Sequence, residues 1–245
     1  MKTQDKTEEI EFHDALAEKM SYEIIEDKNL KERFDKIMKH IQIIPGKALD
    51  AGCGTGEFTV RLAKSGLDVV GLDISKKSIE FVNRYAKRNN LRINGVVGDL
   101  EKLPFQSSSF DYCFCFGTLH HFLDFRNALE ELHRVLKIGG KIVVVEPNGS
   151  NPVLRASRAV NKNFLHIDST SNETLHPTED YIGGFARSGF NNIIIKHFSF
   201  DTMTKMRWKN IVLRLLALCK FGAQKLSRLL PEEFGSEYVM LAAEK

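Results

Sequence analysis

Three glycines spaced two residues apart, directly after an apolar run, constrain the fold of this chain more than any other feature. Residues 48–58 read Ala-Leu-Asp-Ala-Gly-Cys-Gly-Thr-Gly-Glu-Phe, and the next apolar run ends at the acidic residue Asp73. Glycine adopts backbone conformations that other residues avoid, so a strand can turn sharply here into a helix and expose N–H groups. The stretch therefore predicts a nucleotide-type pocket at the end of a strand.

The spacing of these glycines differs from the dinucleotide fingerprint G-x-G-x-x-G, whose third glycine would fall at Glu57. A carboxylate there would repel a pyrophosphate, whereas it would not repel a ligand that carries a positive charge and no phosphate. A dinucleotide-dependent oxidoreductase is thus the disfavoured alternative, and binding of a nicotinamide cofactor would revive it.

Strand and helix patterns alternate through the middle of the chain. Apolar runs predict strands at residues 47–50, 68–73, 92–97, 109–117 and 141–146, and amphipathic patterns predict helices at 57–65, 76–88 and 125–136. Such alternation is typical of βαβ units with a parallel sheet. Ligands of these sheets bind beyond the carboxyl ends of the strands, where Asp50, Asp73, Asp99 and Gly117 fall.

The N-terminal flank, residues 1–44, is expected to form a helical cap. Residues 1–9 carry almost nothing apolar and are expected to be frayed. Apolar spacing predicts one or two short helices over residues 10–25 and a further helix over 30–43. Their position before the first strand suits a cover over the pocket, and packing on the sheet edge is the equally supported alternative.

The C-terminal flank is predicted to be helical over 153–164 and 178–188, with strands at 192–200 and 237–243. Residues 204–230 form a predicted helical insert with seven basic and no acidic residues. Its apolar part, residues 211–221, is too short and too interrupted to span a bilayer. The insert could be a core helix with a solvated basic side, lie on an anionic membrane, or roof a pocket for a greasy substrate.

Composition limits the class of protein further. The 245 residues suffice for one α/β domain, and a net charge of +3 does not call for a nucleic-acid partner. The polar start lacks the apolar segment of a signal peptide, which predicts a cytoplasmic location. The four cysteines, at positions 53, 113, 115 and 219, lack zinc-type spacing and are interpreted as core thiols, so no metal is expected.

Five motifs, in chain order, resemble those of the class I S-adenosylmethionine-dependent methyltransferases, with most similarity to the ubiquinone-biosynthesis-like branch. They are Leu-Asp-Ala-Gly-Cys-Gly-Thr-Gly at 49–56, Gly-Leu-Asp-Ile-Ser at 71–75, Val-Gly-Asp-Leu at 97–100 with Leu-Pro-Phe at 103–105, Phe-Asp-Tyr through Leu-His-His-Phe at 110–122, and Leu-Lys-Ile-Gly-Gly-Lys through Glu-Pro at 136–147.

This resemblance implies a Rossmann-like, doubly wound α/β fold. The expected sheet has seven mostly parallel strands in the order 3-2-1-4-5-7-6, with helices on both faces. We expect a single domain over residues 1–245, with a cofactor-binding core at 45–147, substrate-side cap elements at 148–180 and 204–230, and the last strand at 235–245.

The resemblance also implies a cofactor site for S-adenosylmethionine. Asp73 would accept hydrogen bonds from both ribose hydroxyls, a role that suits an acceptor-only carboxylate. Asp99 would take the adenine amino group, although a plain turn residue is an open alternative there. Leu100 would offer a backbone N–H to the adenine ring, and Ile74 would pack on it.

The rest of the predicted cofactor site surrounds the methionine part of the molecule. Gly52, Gly54 and the backbone of Gly117 would contact it, and Asp50 would help to order the loop. The remaining predicted contacts come from the same loop, at Cys53 and Gly56.

Candidates on the acceptor side are His120, His121 and Glu146, with Asn148, His13, Tyr22 and His166 as weaker ones. A neutral imidazole at His120 or His121 could take a proton from a hydroxyl, and a structural or lining role is the alternative for either. Glu146 could hold a substrate group or be an ordinary strand-end acid.

We therefore predict an enzyme that transfers a methyl group to oxygen or carbon of a small metabolite by in-line displacement, which needs no metal. The basic, apolar insert favours a hydrophobic acceptor and makes peripheral membrane contact a hypothesis. The alternative is a regulatory protein that binds S-adenosylmethionine without catalysis, and an acceptor screen with labelled donor would distinguish the two.

Overall fold

The computed structural model describes residues 6–23, 25, 27–160, 170, 172–199 and 238–245. Within these residues, seven strands form one sheet. The strands are β1 (Lys47–Ala51), β2 (Asp68–Asp73), β3 (Ile93–Val97), β4 (Phe110–Phe116), β5 (Leu136–Pro147), β6 (Asn191–Phe198) and β7 (Tyr238–Glu244). The helices are α1 (Lys6–Lys19), α2 (Lys28–Met38), α3 (Glu57–Lys64), α4 (Lys76–Arg88), α5 (Arg126–Val135), α6 (Pro152–Val160) and α7 (Thr178–Arg187), with a 3₁₀ turn at Leu119–His121.

The strand order is β3-β2-β1-β4-β5-β7-β6, which confirms the predicted topology. Strands β1 to β5 run parallel to one another, and β7 is antiparallel to both β5 and β6. Because β1 to β4 point the same way, their carboxyl ends meet at one edge of the sheet.

The core lies on both faces of this sheet, and the alternation along β4 shows the division. Cys113 and Cys115 point into the cluster that includes residues of α5 and α7, whereas Tyr112 and Phe114 point into the cluster that includes residues of α2 and α3. Both cysteines are buried free thiols, in agreement with their interpretation as core residues.

Two predictions about the N-terminal flank are wrong. Residues 6–9 are the first turn of α1, which is a single helix, because their polar side chains are bound by the body of the protein: Lys6 pairs with Asp99 and Glu101. The second helix ends at Met38 and not at residue 43.

The predicted start of the fifth strand is also wrong. Strand β5 begins at Leu136, which pairs with Phe110, and pairing resumes at Lys141 with Tyr112. The predicted Gly139-Gly140 turn therefore lies in an irregular part of the strand. The helical insert at 204–230 and the candidate His166 lie outside the described residues.

A search of the described helices for a membrane-spanning segment finds none of sufficient length and apolarity.

Candidate active site

A cavity of about 510 Å³ lies at the carboxyl ends of β1 to β4, beside α1 and α2. Nine of the ten predicted cofactor residues line it, and these are Asp50, Gly52, Cys53, Gly54, Asp73, Ile74, Asp99, Leu100 and Gly117. The tenth, Gly56, precedes α3 and is not among the lining residues. The strand ends thus bring the residues of four separate motifs to one site.

The glycine turn needs glycine at positions 52 and 54 for two different reasons. Gly52 has a φ of +74°, and a Cβ there would lie 2.2 Å from Thr118 Cγ2, so close packing excludes a side chain. Gly54 has a φ of +52°, but a Cβ there would meet no atom of the described residues within 4 Å, apart from its chain neighbours. Gly54 therefore borders the open space of the cavity, where a ligand can approach the backbone, and this room fits S-adenosylmethionine lying across the turn.

Asp73 fastens this turn to the end of β2. Its Oδ2 accepts a hydrogen bond from the Gly54 N–H at 2.8 Å, and its Oδ1 accepts one from the Ser75 N–H at 2.9 Å. Burial raises the pKa of Asp73, while these hydrogen bonds act in the opposite direction. Since a carboxylate has about four lone-pair sites, Asp73 can still accept hydrogen bonds from a ligand.

Asp50 lies just before the turn, where it is 1% exposed. The Thr59 hydroxyl, on α3, donates a hydrogen bond of 2.6 Å to Asp50 Oδ2. Burial raises the pKa of Asp50 to about 7, because the charged form loses its hydration. This contact joins β1 to α3 behind the glycine turn.

Asp99 is already engaged by α1. Lys6 Nζ lies 2.5 Å from Asp99 Oδ2 and 2.7 Å from Glu101 Oε2. The Glu101 N–H donates to Asp99 Oδ1 at 2.9 Å. Burial lowers the pKa of Lys6, but its contacts with Asp99 and Glu101 outweigh that effect and raise it. An adenine amino group at Asp99 would therefore share or displace the Lys6 ammonium.

His120 and Glu146 form a pair that does not line the cavity. Glu146 is fully buried, and it accepts hydrogen bonds from the N–H groups of Thr118 and Leu119 at 2.8 and 2.7 Å. His120 Nδ1 lies 2.8 Å from Glu146 Oε2. Glu146 thus holds the 3₁₀ turn, and this geometry favours a positioning role over contact with substrate.

His121 is the one of the three predicted catalytic residues that lines the cavity, and it faces a residue that the sequence did not single out. Glu9 is 4% exposed, and its Oε2 lies 3.0 Å from His121 Nδ1 and 3.6 Å from His13 Nε2. Glu9 Oε1 accepts hydrogen bonds from Thr170 Oγ1 at 2.5 Å and from Asn172 Nδ2 at 3.1 Å. The only signal in the sequence is the helical i,i+4 spacing of Glu9 and His13.

Glu9, His13 and His121 differ in the direction in which their pKa values are shifted. Burial would raise the pKa of Glu9, but its contacts with His121, His13 and Thr170 together lower it. Burial would lower the pKa of His13, but Glu9 and the charge of Asp73 raise it. Burial lowers the pKa of His121. Glu9 is therefore ionised at neutral pH, and His121 is the less basic of the two imidazoles.

The remaining weaker candidates lie elsewhere. Tyr22 packs against Phe81 and Tyr85, with ring centroids 4.9 and 5.2 Å away. Asn148 is fully buried, and its side chain accepts hydrogen bonds from Ser150 N and Thr178 Oγ1. Neither side chain lines the cavity.

Part of the cavity lining is apolar. Phe58 and Phe116 stack with ring centroids 4.3 Å apart. The apolar lining also includes Leu16, Leu30 and Phe122. These side chains can bind a hydrophobic molecule beside the polar residues of the strand ends.

Comparison with known proteins finds several relatives. Residues 49–144 match a family model described as a methyltransferase domain. The demethylmenaquinone methyltransferase of Staphylococcus haemolyticus is 34% identical over 185 residues, which cover 66% of this chain and 76% of that protein. The enzyme of the same name from Staphylococcus aureus is 39% identical over 124 residues, 49% of this chain and 50% of that protein.

Solved structures share the fold at low sequence identity. Phosphoethanolamine N-methyltransferase 2 of Haemonchus contortus, in complex with S-adenosyl-L-methionine, has a TM-score of 0.67 at 19% identity over 87% of this chain; the match spans about half, 52%, of that chain. Geranyl diphosphate C-methyltransferase of Streptomyces coelicolor has a TM-score of 0.66 at 20% identity, covering 87% of this chain and 78% of that one.

A sheet of this order, with a glycine turn after β1 and acidic residues at the strand ends, defines the class I S-adenosylmethionine-dependent methyltransferases. The chain belongs to this family, in its ubiquinone- and menaquinone-type branch, and its cofactor is S-adenosylmethionine. The predicted enzyme class is confirmed, and the comparisons give no support to a non-catalytic binding protein.

Proposed function

We propose that the enzyme methylates an oxygen or a carbon of a small hydrophobic acceptor bound in the described cavity. One observation carries the proposal: a single cavity is lined by the glycine turn and strand-end acids and also by apolar side chains, which include Leu16, Leu30, Phe58, Phe116 and Phe122. Donor and acceptor can therefore lie side by side in one enclosure, with the polar part of the donor at the strand ends.

When bound, S-adenosylmethionine supplies a methyl group on a positively charged sulfur, which leaves by in-line displacement. The protein's task is then to position the two molecules and to exclude water. We assign ribose binding to Asp73 because its buried carboxylate already fixes the turn at Gly54. We assign adenine binding to Asp99, Leu100 and Ile74, which lie together in the cavity lining.

The acceptor class rests on two independent supports. The first is the apolar part of the cavity lining, since burial of a hydrophobic molecule is favourable by about 25 cal/mol per Å² of apolar surface. The second is the names of the relatives, because demethylmenaquinone and geranyl diphosphate both identify acceptors with large apolar parts. A hydrophobic metabolite that carries a hydroxyl or an activated carbon fits both.

Transfer from labelled S-adenosylmethionine to matched acceptors would test the proposal. Prenylated phenols or quinols should be methylated with kcat/KM at least tenfold above that of the same head groups without the apolar tail. Phe58→Ala should raise the KM of the prenylated acceptor and leave donor affinity unchanged, whereas Phe81→Ala, outside the cavity, controls for loss of an aromatic core residue. Equal rates on tailed and tailless acceptors would contradict the proposal.

Cytoplasmic location and peripheral membrane contact stay predictions. The segment invoked for membrane contact, residues 204–230, lies outside the described residues. Flotation of the full chain with anionic liposomes would test the contact, and its absence from the lipid fraction would remove the hypothesis.

A further inference from the structure

We propose that Glu9, His13 and His121 bind a divalent transition metal ion, for which Zn²⁺ is the best fit, in the cavity at the carboxyl ends of β1 to β4. All three side chains line this cavity. One ligand atom from each, a carboxylate oxygen and two imidazole nitrogens, lies within 4.8 Å of the others. Two histidines and one glutamate are a ligand set that catalytic zinc sites use.

The two distances from the Glu9 oxygen to the imidazole nitrogens match a zinc site. Tetrahedral ligands at the usual 2.0–2.1 Å from zinc lie about 3.4 Å from one another. Glu9 Oε2 lies 3.0 Å from His121 Nδ1 and 3.6 Å from His13 Nε2, which brackets that value. The two imidazoles come from different elements, α1 and the 3₁₀ turn, yet they converge on the same oxygen. If Glu9 served only to orient one catalytic base, it would need a single imidazole partner and not two.

The Glu9 carboxylate is held as a metal ligand would be. Thr170 and Asn172 both donate to Oε1, which directs Oε2 toward the imidazoles. Glu9 Oε2 is buried and receives no well-formed hydrogen bond from the residues that the structure describes. A buried carboxylate oxygen in this condition is costly unless a cation satisfies it. Hydrogen bonds to the other oxygen are the usual support of a ligating carboxylate.

A competing carboxylate near His121 is already neutralised. Glu173 lies with His120 and His121 in a second group of potential ligands. However, Arg158 forms an ion pair with Glu173. His120, for its part, is turned toward Glu146. Of the two carboxylates grouped with His121 among the described residues, Glu9 is therefore the one available to share a cation with it.

A metal ion bound by these three residues would favour an oxygen acceptor over a carbon acceptor. This inference rests on the proposed function. Three protein ligands leave a fourth position, which an acceptor hydroxyl could fill from the cavity. Zinc lowers the pKa of such a hydroxyl, so its proton leaves to solvent. The oxygen lone pair then forms the bond to the methyl carbon, and the electrons of the broken S–C bond stay on sulfur. The enzyme would thus be an O-methyltransferase.

Metal binding can be tested without any acceptor. Full-length protein without a histidine tag should be stripped with a chelator and titrated with Zn²⁺ in competition with a chromophoric chelator. We expect one ion per chain, and affinity at least about 100-fold weaker for Glu9→Gln, His13→Ala and His121→Ala, since even loss of a supporting partner costs 10–100-fold. In Thr170→Val the affinity for Zn²⁺ should be about 10–100-fold weaker than in the wild type, because this change removes a partner that supports Glu9.

His40→Ala is the matched control, because His40 is exposed and its ring packs on Phe198, on a different part of the sheet from the cavity. It should bind Zn²⁺ as the wild type does. Co²⁺ in the wild-type protein should give the strong visible absorption of a four-coordinate site, and this measurement does not depend on the folding of any variant.

Three outcomes would overturn the proposal: no stoichiometric binding by the wild type, weak six-coordinate cobalt absorption, or equal affinity in the ligand variants and His40→Ala. Failure of the acceptor screen would not affect these measurements, because they contain no acceptor. The two proposals can therefore fail separately.

Discussion

Asp73 accepts a hydrogen bond from the Gly54 N–H, so that the end of β2 holds the turn that follows β1. The two residues are 19 positions apart in sequence. One buried carboxylate thereby fixes the backbone of the turn and faces the cavity in which the ribose is proposed to lie. Structural and binding roles of Asp73 are coupled through this contact.

Replacement of Asp73 by alanine should weaken S-adenosylmethionine binding at least 100-fold. The change removes the proposed ribose acceptor, and hydrogen bonds to a charged group contribute about 1.5–3 kcal/mol each. Isothermal titration calorimetry gives the dissociation constant directly. Asp35→Ala, at an exposed acid on α2, is the control and should bind like the wild type. An unchanged affinity in Asp73→Ala would refute the assignment.

Alanine at Gly52 and at Gly54 should produce different defects. At Gly52 the new Cβ would meet Thr118 at 2.2 Å, in addition to the strain of a positive φ, which costs about 1–3 kcal/mol. We expect a clear fall in the thermal midpoint or loss of folded protein. At Gly54 only the strain applies, because no atom of the described residues, apart from its chain neighbours, lies within 4 Å of the Cβ position.

The Gly54→Ala variant should therefore fold but bind S-adenosylmethionine weakly, since the methyl group enters the cavity. Thermal melting with and without the cofactor separates the two effects. A Gly54→Ala protein that the cofactor stabilises as strongly as the wild type would contradict the placement of the ligand across this turn.

Loss of the charge on Glu146 should loosen the 3₁₀ turn that carries His121. In Glu146→Gln, the N–H groups of residues 118, 119 and 120 and the His120 ring keep their positions but lose a charged acceptor. Charge-assisted hydrogen bonds in buried sites are worth about 1.5–3 kcal/mol, so we expect a loss of several kcal/mol in chemical denaturation. His120→Ala removes one of these contacts and should cost less; the reverse order would exclude the role assigned to Glu146.

The stability of the protein should depend on pH through Asp50. Its folded pKa of about 7 lies above its ordinary value of 3.8, so the native state binds more protons between these values. The stabilisation from this group is fully present below pH 3.8 and is lost as the pH rises toward 7.

Asp50→Asn removes this titration while leaving a side chain of the same shape beside Thr59. The difference in unfolding free energy between variant and wild type should shift in favour of the variant by about 2–3 kcal/mol from pH 5 to pH 8, at ~1.4 kcal/mol per pKa unit. Urea unfolding at the two pH values measures it, with Asp35→Asn as control. A difference that does not change with pH would show that Asp50 keeps an ordinary pKa.

The sequence predicts the central fold well because local signals mark its elements. Strand β2 and helix α4 have the predicted bounds, since an acidic strand end and the capping Ser75 delimit them. The family motifs predict the sheet order, which the structure confirms. Periodicity and turn residues are properties of neighbouring positions, so a single sequence displays them.

The part of the cavity around Glu9 and His121 is harder to predict because it depends on distant contacts. Glu9 lies in a polar stretch that resembles a frayed end, yet it is buried by His121 and by Thr170, which is 161 positions away. No local pattern reports such a partner. Glu146 likewise reads as a strand-end acid, and only the fold shows that it faces the 3₁₀ turn and not the cavity.

Helix α1 contacts both the strand-end acids proposed to bind the cofactor and the group around His121. Lys6 pairs with Asp99, Asp14 accepts a hydrogen bond from the Ser75 hydroxyl, and Glu9 and His13 stand on the same helix. If adenine displaces Lys6 from Asp99, the helix that carries two acceptor-side groups must readjust at the same moment. We would then expect ordered kinetics, with the methyl donor as the leading substrate and its demethylated form as the last product to depart.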